Sequence, residues 1–245
     1  MTREDFHVRR IVLDEVSSTN TYAKTLSLTD EWQLVTTEFQ TAGRGAGSNS
    51  WESEMGRNLL FSLVMCPASL KAQHAFALSE ALALAINDAL AGYAGEIRIK
   101  WPNDIYCGQR KMAGILIEND LTGDFVSRSI LGVGINVNQT RFVSDAPNPV
   151  SLCQIVGAEV NREELLENIL RYFSQYYHMA VTDLRDALHR IYVSHLFRLD
   201  EEASYSDANG NFRATITGVE PDGRLVLTDT TGRQRRYAFK EIIYK

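Results

Sequence analysis

From Leu196 onward the chain leaves helix-forming periodicity for short β-rich runs, separated by the turn signals Asn209-Gly210, Pro221-Asp222-Gly223 and Thr231-Gly232. A segment of about fifty residues with that pattern is a small β-barrel or sandwich, and alone it buries too little apolar surface to be stable. It is therefore expected to pack against the chain before it. Two unequal domains follow, residues 1–193 and residues 194–245.

In the longer part, Arg10 to Asp14 reads as a strand, followed by a polar turn, Ser17-Ser18-Thr19-Asn20, able to cap a helix that begins near Thr21. Trp32 to Glu38 reads as a second strand and Asn58 to Met65 as a third, with a long loop, Gln40 to Ser50, between them. Leu70 to Leu90 puts Leu78, Leu82, Ile86 and Leu90 on one helical face, an amphipathic signal, and Gly92 and Gly95 supply helix-ending chemistry. Glu96 to Lys100, Met112 to Glu118 and Ile130 to Val137 read as strands that pair with one another. Asn161 with Glu164 makes a capping-box-like start to a helix whose Leu165, Leu166, Ile169, Leu170 and Phe173 face inward; Thr182 to Val193 reads as one more helix.

Composition narrows the function classes. Hydrophobic residues at 44% and charged residues at 23% are those of a globular protein, and no apolar run is long enough to span a bilayer. The N-terminus is charged and lacks the apolar stretch of a signal peptide, so the cytoplasm is the expected location. A net charge of -6 argues against generic nucleic-acid binding, which depends on Lys and Arg neutralising phosphates. Arg233, Arg235 and Arg236 are accordingly read as a solvated barrel edge. Cys66, Cys107 and Cys153 are odd in number and widely spaced, which fits neither a disulfide framework nor a zinc site.

The segments that carry chemistry are few. Gly43 to Trp51 joins three glycines to one cation, Arg44, so backbone N–H groups can come close to an anion. It matches neither the phosphate loop ending in Gly-Lys-Ser/Thr nor the dinucleotide fingerprint, and a flexible surface loop fits the same residues. Lys100-Trp101-Pro102-Asn103-Asp104 ends a strand, because Pro102 removes a ladder donor, and presents a carboxamide and a carboxylate able to hold Mg²⁺ or orient phosphate oxygens. A polar turn is the plainer alternative. Lys111 precedes the run Met112-Ala113-Gly114-Ile115, and Gly132-Val133-Gly134-Ile135-Asn136 again puts glycines inside a strand, which is costly unless a ligand or backbone needs the space. Glycines, cations, one carboxylate and amides, with no Ser-His-Asp, paired-carboxylate or metal-His set, suit nucleotidyl chemistry by positioning and charge. His7, His74, His178, His189 and His195 are scattered and receive no role.

Taken in order, Ser18-Thr19-Asn20, then Gln40-Thr41-Ala42-Gly43-Arg44-Gly45 ending at Trp51, then Lys100 to Asp104 through Lys111 to Ile115, then Gly132 to Asn136, the chain closely resembles the biotin-protein ligases. The resemblance covers nearly the whole sequence. It implies an α+β fold in which a mixed-sheet catalytic domain of the biotin/lipoate ligase type precedes a small SH3-like β-barrel. It also implies that Ser18, Thr19, Asn20 and Gln40 contact the biotin ring system, while Gly43, Arg44, Gly45, Lys111, Gly114, Ile115, Gly132 and Gly134 border the biotin pocket. Arg44 and Lys111 would be the catalytic pair, Arg44 beside the biotin carboxylate and the phosphate, and Lys111 where carboxylate meets α-phosphate. Trp51, Asn103, Asp104, Lys111 and Asn136 would bind ATP, with Asp104 holding Mg²⁺.

The implied reaction makes biotinyl-5'-AMP from biotin and ATP, then moves biotin to a lysine of a biotin carboxyl carrier protein or the carrier domain of a biotin-dependent carboxylase. A loop that orders over the adenylate would exclude water from a hydrolysable anhydride. The catalytic pattern starts within about ten residues of Met1, so the monofunctional type without an N-terminal DNA-binding domain is expected, as a monomer or homodimer with no nucleic-acid or membrane partner. One departure stands out: family members commonly carry a second basic residue two places after Arg44, and here Ala46 stands there. A lipoate or octanoate ligase or transferase shares this fold but lacks the Gly43 to Trp51 and Lys100 to Asp104 wording; a non-catalytic biotin-binding module is the rival from another class.

Overall fold

The computed structural model describes residues 8–67, 69–144 and 148–245, so residues 1–7, with His7, lie outside the described residues. Seven strands form one mixed sheet: β1 (Val8–Val16), β2 (Trp32–Gln40), β3 (Leu59–Met65), β4 (Ile97–Lys100), β5 (Asp104–Cys107), β6 (Arg110–Thr122) and β7 (Phe125–Ile135), in the order β1-β2-β3-β7-β6-β5-β4. β1 and β2 are parallel and all other neighbours antiparallel. A parallel pair needs a crossover. Here it carries α1 (Thr19–Ala23), which brings the Ser18-Thr19-Asn20 turn over the sheet.

The expected pairing among the three later strands holds for β6 with β7, but β4 reaches them only through β5. That strand starts at Asp104, the last residue of the Lys100 to Asp104 segment, and runs through residues assigned no element from sequence. Ile105 and Tyr106 are buried there, and Asp104 is already in ladder register with Lys100 and Gly114.

α2 (Phe76–Ala91) follows a 3₁₀ turn at Ala72–His74, and it is not the one-faced helix that leucine spacing suggested. Its alanines at 77, 81, 83, 85 and 89 are buried along with Leu78, Leu82, Leu84, Ile86 and Leu90, since α4 (Arg162–Val181) and α5 (Arg185–Ser194) cover the side facing away from the sheet. Small side chains let neighbours approach on every side. Gly92 continues in right-handed conformation (φ -68°), so the helix does not close on a left-handed glycine; Glu96 takes the positive φ (58°) instead. Asn161 Oδ1 accepts from the amides of Glu163 (3.0 Å) and Glu164 (3.2 Å), while the complete capping box belongs to Ser151 and Gln154 at the unforeseen α3 (Leu152–Val156). The expected inward residues of α4 are all buried.

The C-terminal segment forms an antiparallel five-stranded sheet: β8 (Glu202–Asp207), β9 (Gly210–Val219), β10 (Leu225–Asp229), β11 (Gln234–Tyr237) and β12 (Ile243–Tyr244), ordered β11-β10-β9-β8-β12. This is the arrangement expected of a small SH3-like unit. One buried cluster runs from Leu78, Leu82 and Trp101 into Tyr205, Ile216, Leu225 and Leu227, so the two sheets share a core. Trp101 Nε1 donates to the Gly223 carbonyl (2.8 Å), Phe76 presses on Gly223 (φ 93°), and Ile99 exchanges hydrogen bonds with His195 and Phe197. His189 bridges the same seam, with one ring nitrogen 2.6 Å from the buried Glu80 carboxylate and the other 2.8 Å from the Val219 carbonyl. Of the C-terminal arginines, Arg235 pairs with Asp229 and Asp207 and Arg236 with Glu220. The three cysteines are free.

Candidate active site

A cavity of about 580 Å³ lies where α1, the Gly43 to Trp51 loop, β5 to β7 and the C-terminal residues 239–245 converge. Its lining includes Ser18, Thr19, Asn20, Gln40, Arg44, Gly45, Trp51, Asn103, Asp104, Lys111, Gly114, Ile115, Gly132 and Gly134. Two of the expected site residues do not reach the wall. Gly43 is buried beneath it, where its carbonyl accepts from the Trp51 amide (2.9 Å) and a Cβ would strike the Trp51 backbone. Asn136 is buried, its side-chain Nδ2 donating to the Val150 carbonyl (3.3 Å), so tertiary pairing engages the side chain expected to bind ATP.

At one end the polar groups are buried and interlocked. Thr19 donates to Gln40 Oε1 through its amide (2.8 Å) and its hydroxyl (3.2 Å), while the fully buried Ser62 hydroxyl lies 2.6 Å from Asn20 Oδ1 and 2.7 Å from Thr19 Oγ1. Asn20 Nδ2 donates to the Leu116 carbonyl (3.2 Å) and to Glu118 (2.9 Å). Ser18 sits at the N-cap of α1, but its hydroxyl makes no capping bond. Buried polar groups of this kind hold fixed orientations and suit a compact ligand that offers both donors and acceptors. Gly132 is required here, because a Cβ would run into the Asn20 amide.

Glu118 and Lys24 complete this end, and neither was singled out from sequence. Glu118 accepts from Lys24 Nζ (2.8 Å), from Asn20, and from both Arg44 terminal nitrogens (3.1 and 3.2 Å). Burial pushes its carboxyl up, but the hydrogen bonds from Lys24, Asn20 and Arg44 outweigh that and hold it below the ordinary range. A lone glutamate in a strand carries no local signal of such a role. Only the register of β6 brings it opposite α1 and the loop.

Across the cavity Lys111 Nζ is ion-paired with Asp104 (2.6 Å) and lies 5.8 Å from the centre of the Trp51 ring. A bulge between Ile105 and Tyr106 sets Lys111 opposite Tyr106 and Gly114 opposite Asp104. Asn103 is tied down on both sides, its Nδ2 donating to the Ile115 carbonyl (2.7 Å) and its own carbonyl accepting from the Ile115 amide (2.9 Å). Lys100 lines the same wall. Its ammonium contacts the Tyr106 hydroxyl (3.0 Å) and lies over the Tyr106 and Tyr244 rings, and burial, opposed by nearby Asp104, draws its pKa down.

The glycine-rich segment is a short closed hairpin. Arg44 bridges Ser50, the Gly45 amide donates to the Asn49 carbonyl (2.7 Å), and Gly47 turns with φ 69°. Just after it Glu52 accepts from the amides of Val143 (2.9 Å) and Ser144 (2.8 Å), fixing the C-terminal stem. The hairpin lays the Trp51 ring on Gly114 and Gly134, which face each other across β6 and β7. Trp51 Nε1 is buried with no hydrogen-bond partner. No cluster of three metal-ligating side chains exists among the described residues. One carboxylate already paired to a lysine fits a Mg²⁺ that arrives on nucleotide phosphates, and does not fit a resident ion.

Residues 12–136 match the family described as the Biotin/lipoate A/B protein ligase family. The chain is 31% identical over 236 residues to the bifunctional ligase/repressor BirA of Bacillus spizizenii, covering 93% of this chain and 72% of that protein. It is 30% identical over 210 residues to the biotin–[acetyl-CoA-carboxylase] ligase of Paracoccus denitrificans, covering 83% of this chain and 86% of that protein. Among solved structures it is similar to the biotin protein ligase from Aquifex aeolicus in complex with biotin and ATP, with a TM-score of 0.81, 25% identity, and coverage of 97% of this chain and 98% of that one.

Proposed function

The chain belongs to the biotin/lipoate A/B protein ligase family, and on that premise we propose that the cavity between α1, the glycine-rich hairpin and β6 is a biotin-activating site. The protein is an ATP-dependent biotin-protein ligase: it makes biotinyl-5'-AMP and transfers the biotinyl group to biotin carboxyl carrier proteins. Of the relatives described above, the Paracoccus enzyme and the Aquifex structure are named for biotin, and none is named for lipoate. The observation that carries the site assignment is the sequence of environments along one cavity: an interlocked polar end at Thr19, Asn20 and Gln40, then Arg44 and Lys111, then a tryptophan over a glycine floor.

Each environment suits one part of the reactants. The polar end would take the ureido ring, whose donors and acceptors match amide and hydroxyl groups. Arg44 and Lys111 would hold the biotin carboxylate against the α-phosphate. Each is already paired to a carboxylate, Arg44 to Glu118 and Lys111 to Asp104, which an incoming anion would replace. The carboxylate oxygen then forms a bond to the α-phosphorus as the bond to pyrophosphate breaks; the two cations stabilise the charge spread over the phosphoryl oxygens. Asp104 would hold the Mg²⁺ that accompanies ATP and neutralises its phosphates. Trp51, with its unpartnered Nε1, would cover the adenine side and keep water from the mixed anhydride. In the second step the carrier lysine's amine attacks the acyl carbon, AMP leaves, and the amine loses a proton to give the amide.

Beyond this shared chemistry we assign residues 1–193 to the catalytic domain and 194–245 to the SH3-like unit, and place the enzyme in the cytoplasm; no helix among the described residues is long and apolar enough to cross a membrane. Pyrophosphate release with ATP and biotin, but not with ATP and lipoate or octanoate, tests the substrate. Transfer of labelled biotin to a biotin carboxyl carrier domain, lost in Lys111→Ala, tests the site; release with lipoate alone overturns the assignment.

A further inference from the structure

The cations around the cavity are unequally engaged. Arg44 is held by Glu118, Lys111 by Asp104, Lys100 by the Tyr106 hydroxyl and two aromatic rings, and Arg198 by the carbonyl of Lys245, whose own side chain also lines the cavity. Lys240, from the turn between β11 and β12, also lines the cavity, yet it forms no ion pair among the described residues; the Phe239 ring centre lies 5.8 Å from its Nζ. Its ammonium group lies against the backbone of Gly47, at the tip of the glycine-rich hairpin, so closely that a Cβ on residue 47 would overlap it. The hairpin itself carries no charge between Arg44 and Trp51. The small sheet therefore delivers an unpaired cation to the tip of a loop that lacks one.

We propose that Lys240 binds the triphosphate of ATP, and so the pyrophosphate that leaves, while bracing the hairpin in its closed position. This rests on the ligase reading given above. ATP brings several negative charges to a cavity whose Arg44 and Lys111 are placed for the carboxylate and α-phosphate; the outer phosphates need a further donor. An ammonium on a flexible four-carbon stem, with three rotatable donors and no carboxylate to displace, meets that need. Because the same group touches Gly47, nucleotide binding and hairpin closure become one event, which gives the C-terminal sheet a part in the first half-reaction.

The test is steady-state pyrophosphate release by the full chain, with ATP and biotin varied in turn, for wild type, Lys240→Ala and Lys240→Arg. Loss of one charge-assisted hydrogen bond predicts that Lys240→Ala raises KM for ATP about tenfold and weakens product inhibition by added pyrophosphate by a similar factor. KM for biotin and the melting temperature stay at wild-type values, since the side chain is exposed. Lys240→Arg, which keeps the charge, recovers most of the ATP affinity. An unchanged KM for ATP in Lys240→Ala, an equal rise in KM for biotin, or no recovery in Lys240→Arg overturns the assignment. Wild type that releases no pyrophosphate with ATP and biotin refutes the ligase reading instead.

Discussion

Gly114 and Gly134 face each other across β6 and β7 and form the floor on which the Trp51 ring rests, so adding a single methyl at either tests how the hairpin is held. In Gly134→Ala the new Cβ would lie 2.6 Å from Trp51 Nε1 and 2.8 Å from Cδ2; in Gly114→Ala the nearest ring atom, Cζ3, is 3.0 Å away. Carbon contacts settle near about 3.5–4.0 Å. β7 cannot yield, because Gly134 is paired with Leu60 on one side and Gly114 on the other. Holding the ring in place against the methyl would cost about 1–3 kcal/mol. The ring has an exit, since the Gly45 to Asn49 and Trp51 to Gly43 hydrogen bonds lie within the hairpin, which can lift as a unit once Arg44 releases Glu118. The strain therefore appears as opening of the hairpin, a shift of roughly 5- to 150-fold in its closed-to-open ratio. Gly134→Ala should raise KM for ATP within that range and shorten the lifetime of the bound adenylate, measured by chasing pre-formed adenylate with a carrier domain after timed delays. Gly114→Ala should do the same to a smaller degree. Global stability should barely move, since the ring leaves and alanine removes about 0.4–1 kcal/mol of unfolded-state freedom. Wild-type ATP affinity and adenylate lifetime in Gly134→Ala, or a larger defect in Gly114→Ala, would refute the argument.

Other perturbations separate chemistry from architecture. Lys111→Ala should lower the rate of adenylate formation by about 10²–10³-fold, the usual loss on removing one stabiliser of transition-state charge, and single-turnover pyrophosphate release checks it. Trp101→Phe keeps the buried ring but loses the hydrogen bond to the Gly223 carbonyl, at about 1 kcal/mol, which lowers the melting temperature by about 2–4 °C without changing KM for biotin. The hydrogen bond that His189 donates to Glu80 raises the His189 pKa above its ordinary value, against the effect of burial. The charged imidazolium thus favours the folded state: its contribution is complete below about pH 6.5 and disappears as pH rises through the raised folded value. Denaturant unfolding should show wild type losing stability over that window and His189→Gln showing no such step.

The order of elements, the turns of the C-terminal sheet and the inward face of α4 were legible because each rests on local chemistry: Asn161 caps α4, and Gly223 and Gly232 take positive φ in tight turns. The loop and turn segments around Arg44, Asp104 and Lys111 were legible as a set through their resemblance to the biotin-protein ligases. β5 was not, because the Asp104 to Cys107 run is short and follows a proline that reads as a stop. Nor was the burial of α2 on all sides, which depends on α4 and α5 returning over it.

What the sequence determined alone is thus the two-part architecture, the glycines, and the cations and amides available for nucleotidyl chemistry. Tertiary structure decided which of them meet. It placed Gly132 under Asn20 and Gly134 under Trp51, turned Asn136 away to Val150, tied Arg44 to a glutamate 74 residues on, and set Lys240 against Gly47. Helix caps and turns are fixed by hydrogen bonds within a few residues, so the linear chain records them. A charge pair or a glycine's missing Cβ gains its meaning from whatever strand register and domain packing bring opposite it.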